Sequence, residues 1–144
     1  MLNGEVVPGV RIGNCCIGEQ KSIIMGLFSD KYKVWDRGDG FSVYTYGNLK
    51  LWFNTDGTLC QIGVSSGFAG KYLTIGIGST MQDVVDCFGG YRNDGDEYYI
   101  PNVDGLCFEL EDVEDWNELT APIEWIYVYE IDVNGQKHIV NSFV

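Results

Sequence analysis

The sequence predicts an α+β fold, two short helices packed on an antiparallel sheet of about seven to nine strands, because it contains an internal repeat and because strand signals follow each copy. The repeat aligns IGEQKSIIMGLFS (residues 17–29) with IGSTMQDVVDCFG (residues 77–89) without a gap. Composition is the third observation. The 144-residue chain is 45% apolar and 14% aromatic, enough for a single domain with its own core and too apolar for a disordered acidic tail. The expected domain is 1–144, with one pseudo-repeat over about 10–66 and a second over about 70–143.

The first copy is the weaker helix. Ile24, Met25 and Phe28 share one face, but Lys21 takes the place that Met81 has in the second copy, and Gly26 lowers helix propensity. In the second copy Met81, Val84, Val85 and Phe88 recur at i, i+3, i+4 and i+7. Ser79 and Gln82 are placed for a capping box, and Gly89 for a left-handed C-terminal cap.

Three strands follow the first helix: FSVYTY (41–46), LKLWF (49–53) and TLCQIGV (58–64), joined by tight turns at Gly47-Asn48 and Asn54–Gly57. The second half repeats this with EYYI (97–100), LCFEL (106–110) and IEWIYVYEI (123–131), then Asn134-Gly135 and a last strand near 136–143. In IEWIYVYEI one face carries Ile123, Trp125, Tyr127, Tyr129 and Ile131. It is read as core.

Ile-Gly, a polar cap, a spaced apolar helix ending in Phe-Gly and strands with an Asp-Gly hairpin together resemble the helix-plus-sheet repeat of the BamE-type (SmpA/OmlA) outer-membrane assembly lipoproteins and of the beta-lactamase inhibitory protein. The resemblance covers roughly residues 10–131. It implies a sheet face or loops that bind other proteins, and no enzymatic activity. In overall character the chain is also similar to the immunity proteins of bacterial toxin systems.

Charge is distributed unevenly. Residues 1–72 hold seven Lys/Arg and six Asp/Glu, whereas residues 73–144 hold two and fifteen, which together give the net charge of −12. A field of that sign repels phosphate backbones and attracts basic proteins, so nucleic acid is not the expected partner. No apolar run approaches the roughly 20 residues that span a bilayer, and no basic-then-apolar leader stands at the start, so no membrane partner and a cytoplasmic location are expected. Five cysteines (Cys15, Cys16, Cys60, Cys87, Cys107) form no CxxC pair, and reduced, mostly buried thiols are expected.

Several strings could carry chemistry, and each has a plainer reading. Gly76-Ile-Gly78-Ser-Thr-Met81 lacks the third glycine of a phosphate-cradling loop and reads as helix capping. Asn93–Glu97 offers oxygen ligands without the spacing of a calcium loop. His138, the single histidine, sits beside Lys137 in the expected last strand with no catalytic partner near it. Cys15-Cys16 has no basic neighbour closer than Arg11, so packing is its expected role. No cofactor and no metal are expected.

FELEDVEDWNEL (108–119) is the most distinctive stretch, with six carboxylates, one Trp and no Lys or Arg. Where the first half joins two strands with four residues, the second half uses twelve, Glu111 to Pro122, so the charge sits in an insertion. Val113, Trp116 and Leu119 recur every three positions, which predicts a helical turn docked through Trp116, with Glu111, Asp112, Glu114, Asp115 and Glu118 facing water. The expected partner-binding residues are therefore Glu109, Glu111, Asp112, Glu114, Asp115, Trp116 and Glu118, with Asp94, Asp96 and Glu97 as a second patch where the hairpins lie side by side. The expected function is a non-enzymatic acidic protein-binding or inhibitor domain, of the kind an immunity protein uses against a basic toxin such as a nuclease. A BamE-like envelope assembly or scaffold module is the first alternative, a carboxylate-dependent enzyme the second.

Overall fold

A computed structural model of the protein describes residue 2, residues 4–29 and residues 31–131. Three two-residue strands, β1 (Val6–Val7), β2 (Arg11–Ile12) and β3 (Cys15–Cys16), form a small antiparallel sheet that leads into α1 (Lys21–Met25). A meander follows: β4 (Lys33–Asp36), β5 (Ser42–Tyr46), β6 (Leu49–Phe53) and β7 (Leu59–Val64). The ribbon of β8 (Lys71–Tyr72) and β9 (Ile75–Gly76) precedes α2 (Met81–Phe88), and a second meander runs through β10 (Arg92–Asp94), β11 (Glu97–Tyr99), β12 (Leu106–Leu110) and β13 (Ile123–Tyr129). The strand expected near 136–143, with its His138, lies outside the described residues.

The two meanders fuse into one eight-stranded antiparallel sheet of order β10-β11-β12-β13-β7-β6-β5-β4. They meet at β7 and β13, where Ile62 lies opposite Val128 and Gly63 opposite Tyr127. Gly63 is required by that seam, since a Cβ on it would stand 2.9 Å from the Tyr127 ring.

This architecture corrects the α+β class expected from the sequence. Among the described residues the chain is mostly β, 40% strand against 10% helix, and it is not a pair of helix-plus-sheet repeats with helices packed on the sheet. The helices are too small to make a layer. α1 is five residues long, its N-cap Gln20 makes no side-chain cap, and it buries only Ile24. α2 has eight residues and buries Met81 and Val84. Its capping box is one residue later than expected, with the Thr80 side chain accepting from the Asp83 backbone and Asp83 accepting from the Thr80 backbone, while Gly89 closes it at φ 85°.

Both faces of the sheet are buried. On the first, Leu51, Ile62, Val128 and Leu106 form one row across four strands. They join Phe53, Phe108, Ile126, Met81 and Val84 in the larger core cluster. Removing a ring there, as in Phe108→Ala, costs about 3–5 kcal/mol. On the second face Val43, Trp52, Gln61 and Tyr129 make the corresponding row, packed with Phe41, Cys60, Tyr99, Cys107 and Tyr127. The aromatic side of β13 is therefore interior, and it packs on the opposite face from Ile126 and Val128.

Candidate functional site

The acidic residues converge because β12 is central to its meander. The β10–β11 hairpin stands on one side of it, with Asp94 opposite Glu97 across a turn made by Gly95 and Asp96. On its other side β13 carries Glu124 as its second residue, just after the long connection from β12. Asp96, Glu109, Asp112 and Glu124, with Tyr98 and Trp116, consequently line one open depression of about 520 Å³. No Lys or Arg is among its lining residues.

Glu109 is the deepest of these carboxylates. The β-bulge between Glu109 and Leu110 ends the regular register with β13, and Glu109 accepts a hydrogen bond from the Tyr127 hydroxyl at 3.1 Å. Burial raises its pKa above its ordinary value; the Tyr127 bond opposes this, the negative Asp96 and Glu124 add to it, and the Lys50 charge on β6 counters it in part. The Tyr127 phenol is pushed up in turn, first by burial and then by the Glu109 charge.

The excursion between β12 and β13 is a series of turns and not the helical turn its apolar spacing suggests. Asp115 adopts φ 56°, a left-handed conformation that breaks any helix. Trp116 does not anchor the segment; it is 47% exposed, and Leu119 is 37% exposed. The inward group is Glu118, which accepts hydrogen bonds from the hydroxyls of Tyr91 and Tyr98, the latter at 3.1 Å. Glu111, Asp112, Glu114 and Asp115 are exposed, as expected.

In the second patch Asp94 and Asp96 are exposed and Glu97 is half-buried, accepting from the Tyr99 hydroxyl. Of the ten residues expected in the site, the depression brings together Asp96, Glu109, Asp112 and Trp116. Glu124, Tyr91, Tyr98 and Tyr127 escaped sequence reasoning. An acidic residue beside aromatics at the mouth of the long connection is the one sequence signal that could have marked Glu124.

The alternative strings are occupied by structure. In the Gly76–Met81 turn, Gly76 N–H donates to the Ser79 hydroxyl, Ser79 N–H to the Gly76 carbonyl and Gly78 N–H to the Ile123 carbonyl, so three of the amides a phosphate would need are used. The Asn93 amide donates to the carbonyls of Gly95 and Glu97. Among the described residues no three His, Cys, Asp or Glu side chains are placed to hold a metal ion. All five cysteines are free; burial pushes Cys15 and Cys60 up to about 12 and Cys107 well above its ordinary value. No helix among the described residues is long and apolar enough to cross a membrane.

No family model matches the chain, and neither a curated protein nor a solved structure matches it significantly.

Proposed function

We propose that the protein is a non-enzymatic acidic binding domain that captures a basic protein, as an immunity protein captures a basic toxin such as a nuclease. The observation that carries this reading is the depression itself. Carboxylates from the β10–β11 hairpin, from β12, from the excursion and from β13 surround one opening with no Lys or Arg among its walls. Trp116 stands exposed beside them. A Lys or Arg side chain entering there gains the field of four carboxylates and an aromatic face on which a cation can rest. The partner's basic surface is steered to the site by the acidic half of the chain. Acting this way requires occupancy and no chemistry, so a toxin's phosphate-binding site is blocked by being filled.

The experiment is to identify the partner by affinity capture, replace Glu111, Asp112, Glu114 and Asp115 together by Lys, and measure binding kinetics at low and high salt. A slower association whose salt dependence has collapsed supports the reading. Unchanged kinetics in a folded variant reduce the excursion to a solubilising surface and overturn it.

A second reading, a carboxylate-dependent enzyme, draws support from Glu109, a half-buried carboxyl of raised proton affinity facing other carboxylates. Turnover of a substrate that is lost in Glu109→Gln would favour it over capture.

A further inference from the structure

The excursion is held in an unusual way. Its base is closed by Glu111 N–H donating to the Pro122 carbonyl at 2.8 Å, and its C-terminal part is tied by Thr120 and Ala121 N–H to the Asn117 carbonyl and by Gln82 N–H of α2 to the Leu119 carbonyl. Residues 112–116 make no hydrogen bond among the described residues. Glu118 is the side chain of the excursion that hydrogen-bonds across to the β10–β11 side of the sheet. Its two carboxylate oxygens are divided between two phenols: Tyr91, in the connection after α2, and Tyr98 of β11. Those rings lie 5.9 Å apart and are tilted by 47°, so they form a ready-made pair of donors.

This attachment works against a load. Asp112 of the excursion shares the depression with Asp96, Glu109 and Glu124 of the sheet, and like charges gathered at one opening repel. Asp112 and Trp116, two walls of the depression, belong to the excursion, whereas Asp96, Glu109 and Glu124 belong to the sheet. The depression is therefore assembled only when the excursion is down.

We propose that Glu118, clasped by Tyr91 and Tyr98, is a latch that holds the excursion against the sheet in opposition to its own charge, so that the acidic depression closes and opens as a strap. Two opposed terms of this kind set the balance between a closed and an open position of the excursion. Cations, whether dissolved salt or a partner's basic side chains, relieve the repulsion and favour the closed form. Control of partner capture by the latch rests on the binding reading above; the latch itself does not, and it is tested on the chain alone.

The test is amide hydrogen exchange of the full chain at low and high salt, comparing wild type with the Tyr91→Phe/Tyr98→Phe double variant. That variant removes both donors and leaves every carboxylate in place. The amides of Glu111, Gln82, Thr120 and Ala121 are expected to exchange about tenfold faster or more, while those of β6 and β7 keep their protection. In the wild type, added salt is expected to slow exchange of the same amides. Glu118→Ala provides a second variant should the double variant unfold, with the same local pattern expected. Protection of the excursion that is unchanged in a folded variant, or wild-type exchange that speeds up with salt, overturns the latch. Either result leaves the capture of a basic protein standing as a separate question.

Discussion

Gln61 lies directly opposite Trp52 across the β6–β7 pair, both are fully buried, and neither the Gln61 amide nor the Trp52 Nε1–H has a hydrogen-bond partner among the described residues. An unsatisfied buried donor or acceptor costs about 1–3 kcal/mol, and replacing it by an apolar group of similar shape returns much of that. Gln61→Met is accordingly expected to raise stability by about 1 kcal/mol, read as a higher denaturant midpoint at unchanged slope. A loss of stability of similar size would show that the amide is satisfied.

Glu109 gives a pH signature. Its folded-state pKa is raised, chiefly by burial, so the native state binds the proton more tightly than the unfolded state does. Stability contributed by this group is therefore present at low pH and is lost as pH rises from the ordinary carboxylate value through the raised one. Glu109→Gln removes that loss. The variant is expected to exceed wild type by no more than about 1 kcal/mol near neutrality, because Glu109 is partly exposed and solvent screens it. The advantage should vanish in acid. Denaturation curves at several pH values check the sign, and an advantage that grows toward low pH would contradict the assignment.

The strands that sequence reasoning located are those whose turn chemistry and alternation agree. β5 and β6 are joined by the two-residue turn at Gly47-Asn48, with Gly47 at φ 62°, and both carry large apolar residues toward a core. β4 and β10 carry no such pattern. Lys33–Asp36 and Arg92–Asp94 are short and charged because they are the two edges of the sheet, where hydrophobic alternation is not demanded. The two-residue strands near Val6, Cys15 and Ile75 are fixed by glycine-containing turns and tertiary pairing, which periodicity does not report. The helical repeat was overestimated for a related reason: apolar spacing over 17–29 is real, yet only Lys21–Met25 winds into helix, since Gln20 supplies no cap. In the site, clustering of charge singled out the excursion, whose Glu111, Asp112, Glu114 and Asp115 are exposed. Its anchor was hidden, because Glu118 is held by Tyr91 and Tyr98, which are 27 and 20 residues away in the chain, and no local spacing announces such a bond.

The cysteines should separate by accessibility. Cys87 is exposed and Cys16 half-buried, whereas Cys15, Cys60 and Cys107 are buried, with their thiols held protonated by desolvation. Native-state alkylation is expected to label Cys87 first and Cys16 more slowly, with the other three reacting only on unfolding. Peptide mapping of the labelled sites checks this order. Rapid native labelling of Cys107, in the middle of the second face, would contradict the packing of that face.

Capture of a basic partner should divide kinetically between the rim and the centre of the site. Glu111, Asp112, Glu114 and Asp115 are exposed, and charges of that kind act over a Debye length of about 10 Å at 0.1 M salt, on encounter more than on the final contacts. Trp116 is different: a large ring, 47% exposed and lining the depression, it gains most from being covered and can lie against a cation as it is covered. Trp116→Ala is therefore expected to leave association and its salt dependence nearly unchanged while speeding dissociation about tenfold, a loss of about 1.4 kcal/mol. Reversal of the four carboxylates should do the converse, slowing association while changing dissociation little. Stopped-flow or surface-based kinetics with the captured partner at two salt concentrations distinguishes the two. Should Trp116→Ala slow association as much as the charge reversal does, the ring would be acting through the position of the excursion and not through contact, and its place at the centre of the interface would have to be given up.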